Sequence, residues 1–371
     1  MACLLGAVAL AGGFHAILLW AAAVGGLAGA ATAWARSGWT GVTLSAAFEP
    51  SRVFAGEPVG VRVRITNEKR LPIPLARVFI RLPPGLMPAR ETEPATARGF
   101  HRRLFLPAHS ESMLHLPIDA KARGEYWLES VIVELSDPFD LVPLRRETVP
   151  EAPLLVMPEP RIRIPAQVRE RLPFGTPAPS ARLFEDRERF AGVRPYEPGD
   201  PLNRVHWKLT AHAGGLQTKL FEPTRTADAL IAVDLAAGEP FWDSIFPEAA
   251  ENAIGWASFL LRQAIDAGWR IGLVANTHLR RGRGPLRVAP ASAKGHEAAL
   301  FAALARMPNQ PTSDLGPVLR EAGRGLGRGT SVVVLSMRPG PLLRHEIEAL
   351  RRRGSSIVSL SPLEAILEGA S

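Results

Sequence analysis

The rhythm of apolar and polar positions changes three times along the chain. From Ala2 to Ala35 no side chain is charged, and only His15, Thr32 and the tryptophans interrupt a run of Ala, Leu, Gly and Val. From Gly60 to Thr66, Ala76 to Leu82 and Ser112 to Ile118, apolar and polar side chains alternate with period two, as a half-buried strand requires. Trp127 to Leu135 adds a β-branched run, and Asp137-Pro138-Phe139-Asp140-Leu141 reads as a compact turn before a strand reaching Met157. Beyond residue 228 short, wholly apolar runs alternate with stretches of helical period.

The first segment is long for a single span. As one helix its roughly 34 residues would reach about 50 Å, against a hydrocarbon core of about 30 Å. Two arrangements fit: one tilted helix centred on Phe14 to Ala33, or a hairpin broken at Gly12-Gly13. Arg36, Arg52, Arg62 and Arg64 follow the run and no Lys or Arg precedes it, so the positive-inside bias places the body in the cytosol. A secretory signal with Ala31-Thr32-Ala33 as its cleavage site is the rival; it lacks a basic n-region. Residues 1–38 are therefore expected to anchor the chain in the inner membrane.

The alternating strands of residues 42–160, separated by Gly56-Glu57-Pro58, Asn67-Glu68, Pro83-Pro84-Gly85 and Arg123-Gly124, predict an antiparallel β-sandwich of immunoglobulin type. His101, His109 and His115 fall on separate elements there and suggest no metal site. Residues 161–193 read as a proline-rich connector, and 194–371 as a signature segment with an α/β domain. In that domain strands at 230–235, 270–275, 286–289, 330–336 and 356–360 alternate with helices at 247–267, 294–306, 314–325 and 342–352. The order predicts a mostly parallel, doubly wound sheet.

Charge and cysteine content narrow the chemistry. The net charge of +8 comes from arginines scattered between apolar runs, with Arg351-Arg352-Arg353 and Arg280-Arg281 as the densest clusters. No aromatic platform is interleaved with them, so nucleic acid is not expected; anionic membrane lipid suits the charge better. The single Cys3 excludes an intramolecular disulfide and a thiolate metal cage.

The densest chemistry lies in Arg194-Pro195-Tyr196-Glu197-Pro198-Gly199-Asp200, followed by Arg204, His206, Trp207 and Lys208. A Pro-Gly-Asp turn, with Asp200 capping a short helix that carries Arg204 and Trp207, suggests charge-assisted hydrogen bonds and guanidinium stacking. The segment then reads as a structural clasp or as a docking surface. No nucleophile with a nearby base accompanies Asp200 and His206, so no enzyme activity is expected, with a hydrolase using Asp200, His206 or His212 as the alternative.

This run, continued through Lys219-Leu220-Phe221-Glu222, resembles the signature of the domain of unknown function 58 family. Arg123-Gly124-Glu125-Tyr126 and Asp137-Pro138-Phe139 match its β-rich segment, so that the resemblance extends over residues 1–362. It implies a bacterial membrane protein with a von Willebrand A-like domain, associated with MoxR-type AAA+ ATPases and transglutaminase-like membrane proteins. In such domains an Asp-x-Ser-x-Ser loop after the first strand, with a later threonine and aspartate, holds Mg²⁺. Here the loop reads Asp234-Leu235-Ala236-Ala237-Gly238, with Thr312 (or Ser313) in the threonine position and Ser336-Met337-Arg338 in place of the later carboxylate. A hard ion needs more oxygens than these residues offer, so no metal or other cofactor is expected and Asp234 should bond loop donors or an arginine. The expected role is a membrane-anchored protein-interaction module in envelope assembly or beside such an ATPase; a periplasmic adhesion-like binder is the reading with inverted topology.

Overall fold

The computed structural model describes residues 15–89, 99–137, 139–160, 169–175, 183–198, 200, 205–225, 228–238, 240–242, 246–279, 284–327 and 329–362. The chain divides into two compact units, Met1–Met157 and Pro158–Ser371.

The first unit opens with helix α1, His15–Ser37, whose only charged residue is Arg36 in the last turn. Its portion Ile17–Ser37, 21 residues with a mean hydropathy of 1.6, is long and apolar enough to cross a bilayer, and none of it is buried. A signal sequence passes the same measure. The hairpin with a break at Gly12-Gly13 falls outside the described residues.

Two antiparallel sheets follow. One orders β1 (Val42–Glu49), β3 (Val59–Asn67), β7 (Ser110–Asp119) and β5 (Met87–Pro88) as β1-β3-β7-β5. The other orders β10 (Leu144–Thr148), β9 (Ser130–Ser136), β4 (Ile73–Arg81) and β6 (Gly99–Leu106) as β10-β9-β4-β6. Period-two patterning explains the arrangement, because Val61, Val63 and Ile65 from one sheet and Val78, Ile80, Val131 and Val133 from the other share a single core. A small sheet joins β2 (Arg52–Phe54), β11 (Leu154–Met157) and β8 (Gly124–Tyr126). The Arg-Gly-x-Tyr motif thus becomes a strand, and the Tyr126 hydroxyl donates to the Ala122 carbonyl at 2.9 Å. The strand expected to run on to Met157 is instead two, β10 and β11, because Pro150 and Pro153 remove ladder donors between them.

In the second unit, β12 (Leu183–Pro195) pairs antiparallel with β13 (Gln217–Arg225), with register shifts around Phe190. The last part of the expected connector, 161–193, is therefore strand from Leu183 onward. Between the two strands lies helix α2, Trp207–Ala213. A five-stranded sheet follows, ordered β16-β15-β14-β17-β18 and built from β14 (Asp228–Val233), β15 (Arg270–His278), β16 (Pro285–Ala291), β17 (Ser331–Leu335) and β18 (Ser356–Leu360). All its neighbouring strands are parallel except the edge strand β16. β14 and β17 are buried along almost their whole length, as strands covered on both faces must be. Leu230, Ala232, Val332 and Val334 pack with Leu319, Leu343, Ile347 and Leu350 from helices α5 (Leu315–Gly323) and α6 (Pro341–Arg352). Helix α3 (Pro247–Asp266) buries Ala250, Ile254, Ala257, Leu261 and others against β14 and β15, with α4 (His296–Arg306) beside it.

Candidate functional site

In an open parallel sheet the loops that follow the carboxyl ends of the strands are free to build a site. Here β14 runs directly into Asp234, which is buried. Its Oδ2 accepts a hydrogen bond from Ser336 Oγ at 2.8 Å, and its Oδ1 accepts from Asn276 Nδ2 at 2.8 Å and from the Ala236 amide at 3.1 Å. Asn276 is itself held, its Oδ1 accepting from the Leu235 amide at 2.9 Å and its carbonyl from the Thr312 amide at 2.8 Å. Three loops are thereby tied to one carboxylate. Burial pushes the Asp234 carboxyl up to about 6; the three donors oppose the rise and the nearby Asp314 carboxylate adds to it.

Beside this cluster a small, solvent-open depression is lined by Asp234, Gly238, Asp314, Arg338, Gly340 and Leu342, among others. Arg338 is exposed, and the loop after Asp234 carries exposed Trp242 and Phe246. The donor set does not suit a hard divalent ion. Asp234 turns both oxygens to protein donors, Ala236 and Gly238 stand where hydroxyl ligands would be needed, and the pocket contributes a guanidinium. Thr312, the candidate for the threonine position, directs its hydroxyl to the Asn276 carbonyl at 3.4 Å. Among the described residues no group of three or more His, Cys, Asp or Glu side chains is placed to share an ion.

The signature segment forms a separate cluster. Asp200 Oδ1 accepts from Arg194 Nη2 at 2.7 Å, while Oδ2 accepts from Thr218 Oγ1 at 3.0 Å and the Glu197 amide at 3.1 Å. The Glu197 amide, with Arg194 and Thr218, holds the Asp200 carboxyl below the usual carboxylate range. Asp200 thus closes its own turn onto β13 and does not cap α2. The cap is His206, whose Nδ1 accepts from the Leu209 amide at 3.2 Å, since α2 begins only at Trp207. Tyr196 donates its amide to the Leu216 carbonyl at 2.9 Å. Trp207 and Lys208 are exposed, and Lys219 is half-buried on β13. Gly199, Arg204 and the side chain of Glu222 lie outside the described residues.

Residues 192–364 match the family described as Protein of unknown function DUF58. This stretch is a DUF58 domain match. It includes both clusters and excludes the first unit, so it is narrower than the resemblance drawn over residues 1–362. The chain is also similar to a Bacillus subtilis (strain 168) protein described as uncharacterized protein YeaD, 28% identical over 231 residues, 61% of this chain. The matched region spans about half the length of that relative, 54%. A solved structure, a non-cellulosomal cohesin from the hyperthermophilic archaeon Archaeoglobus fulgidus, aligns with 32% of this chain and 85% of its own at 11% identity and a TM-score of 0.21.

Within the DUF58 stretch, the roles of two members of the Asp234 cluster escape a sequence reading. Asn276 sits in a strand-forming run, where a lone amide carries no periodic signal. Ser336 marks the end of β17 but gives no hint that its hydroxyl reaches across to β14.

Proposed function

We propose that the chain is a membrane-anchored, non-enzymatic interaction module. The two antiparallel sheets form an immunoglobulin-like sandwich, and a von Willebrand A-like domain receives a protein partner at the carboxyl edge of its sheet without a metal ion. The observation that carries the reading is the engagement of both Asp234 oxygens by Ser336, Asn276 and the Ala236 amide beside an open pocket. A buried carboxylate that already holds three protein donors organises loops and has little acceptor capacity left with which to draw a cation. The pocket rim then offers Arg338, Asp314 and exposed Leu342, with Trp242 and Phe246 on the adjoining loop, a mixture suited to a protein surface.

Helix α1 serves as the anchor. The arginines that follow it favour an inner-membrane protein with a cytoplasmic body. The motif resemblance suggests a MoxR-type AAA+ ATPase or a transglutaminase-like membrane protein as partner, in envelope assembly. A C-terminal reporter fusion separates this topology from a periplasmic adhesion-like binder, which would show periplasmic activity.

The test is position-specific photo-crosslinking in native membranes. A photoreactive residue at Trp242 or Leu342 captures a discrete partner, and one at Ser355, in the turn before β18, does not. Equal capture at all three positions, or none at any, would sink the proposal.

A further inference from the structure

The junction between α1 and the first unit is not a flexible tether. Lys69 Nζ donates to the Gly38 carbonyl at 2.6 Å and the Ser37 carbonyl at 3.4 Å, closing the end of the helix. The same ammonium lies 5.1 Å from the Trp34 ring centre. Trp39 Nε1 donates to the Leu144 carbonyl at 3.2 Å, and the Arg146 guanidinium sits 4.3 Å over the Trp39 ring. The Glu68 amide donates to the Gly41 carbonyl at 2.8 Å. Gly38 is closely covered by the Leu144 side chain, leaving no room for a Cβ.

These contacts fix which end of the two-sheet unit adjoins the helix. Strand registers pair Val42 with Asn67 and Asn67 with Ser110 in one sheet, and Leu144 with Leu135 and Ile73 with Leu106 in the other. Three turns therefore share the helix-proximal end: 68–72, 107–109 and 137–143. The first two hold each other, since Asn67 Nδ2 donates to the Leu71 and Pro107 carbonyls at 3.1 and 2.7 Å, and the His109 amide donates to the Lys69 carbonyl at 3.0 Å.

The third turn is built to push apolar side chains outward. Asp137 is buried and accepts from the amides of Phe139 at 2.8 Å, Leu141 at 3.0 Å and Val142 at 2.8 Å. Asp140 adopts the left-handed region at φ 55° and pairs with Arg77. The result is that Phe139 is 66% exposed and Leu141 52%, while Leu71 on the first turn is 68% exposed. Exposed Arg36, Arg70 and Arg146 surround the same end. Apolar side chains displayed among exposed arginines, with Glu68 and the Arg77-paired Asp140 also present, level with the end of a bilayer-length helix, match the interfacial region of a membrane better than water.

We propose that this end of the unit is a membrane-contact face. Leu71, Phe139 and Leu141 enter the headgroup boundary of the bilayer crossed by α1, and Arg36, Arg70 and Arg146 meet anionic lipid headgroups. The Asp-Pro-Phe motif is then a device for lipid contact, set by Asp137. This inference rests on α1 being an anchor, and the experiment separates the two.

The full chain with Cys3→Ser receives one cysteine by Leu71→Cys, Phe139→Cys, Met87→Cys or Val24→Cys, each labelled with an environment-sensitive dye. Met87 is exposed at the opposite end of the unit, where β5 pairs with Asp119. Proteins are reconstituted into phosphatidylcholine vesicles with and without phosphatidylglycerol. Quenching is read from aqueous iodide and from lipids carrying a nitroxide near the headgroup or deep in the chain. The expected result is severalfold less iodide quenching at 71 and 139 than at 87, shallow-nitroxide quenching only at 71 and 139, and a stronger effect with phosphatidylglycerol. Deep quenching at 24 with equal iodide access at 71, 139 and 87 keeps the anchor and overturns the contact face. Iodide access at 24 overturns both.

Discussion

Ser336 Oγ donates a 2.8 Å hydrogen bond to Oδ2 of Asp234, joining two loops 102 positions apart in sequence. The bond closes the carboxyl edge of the five-stranded sheet around a buried carboxylate that also receives Asn276 and the Ala236 amide. Loop organisation at this edge is therefore a property of one side chain. Removing it leaves three buried donors without an acceptor.

Asp234→Ala should lower stability by about 2–4 kcal/mol at neutral pH, the range for orphaning buried hydrogen-bond partners. Asp234→Asn should not, because its carbonyl still accepts from Asn276 and Ala236 and its amide donates to a rotated Ser336 hydroxyl. Urea unfolding of the two variants beside the parent checks the pair. A large loss in Asp234→Asn would mean that the negative charge itself holds the loops.

The same carboxyl gives a pH dependence of definite sign. Its folded pKa, about 6, lies above the ordinary carboxylate value of 3.8, so the folded state holds the proton more tightly than the unfolded state. Stability from this group is fully present below about pH 4 and falls as pH rises through 6. The change amounts to about 3 kcal/mol. Measured as the difference between parent and Asp234→Asn, stability should drift in favour of the variant from pH 4 to 6 and stay flat above about pH 7. A flat difference throughout would show that the carboxyl titrates normally.

Asp200 has the opposite sign. Its depressed pKa means that its clasp on Arg194, Thr218 and the Glu197 amide holds above the ordinary carboxylate pKa and is lost as pH falls through the lowered folded value. Hydrogen exchange should find the amides of Tyr196, Glu197 and Gln217 protected at mildly acidic pH in the parent and faster in Asp200→Ala, with the difference shrinking as pH falls through the lowered folded value. Unchanged exchange in the variant would remove Asp200 from the clasp and reopen its use elsewhere.

Much of the architecture was legible because strong periodic segments decide their own conformation. The expected strand at 356–360 coincides with β18, and the expected helix at 247–267 with Pro247–Asp266, where Pro247 starts the helix at N1. Elements were misread where proline density mimicked a linker, as in the connector that becomes β12, or hid a break, as between β10 and β11. At the site, Asp234 and Thr312 were visible by position along the chain. The roles of their partners were not: Asn276 and Ser336 acquire them only when β15 and β17 flank β14, 42 and 102 positions from Asp234 in sequence. For Asp200 the sequence offers a helix cap within a clasp or a docking surface; its bond to Thr218 is invisible there because it depends on the β12–β13 pairing.

The most direct test of the account is calorimetric titration of Mg²⁺, and then Ca²⁺, into the purified full chain in detergent, beside Asp234→Asn. With the Asp234 oxygens occupied by Ser336, Asn276 and Ala236, both proteins should give only heats of dilution up to millimolar ion. Saturable binding at micromolar ion that disappears in Asp234→Asn would contradict the account, because it would make the carboxyl edge a cation-dependent recognition surface.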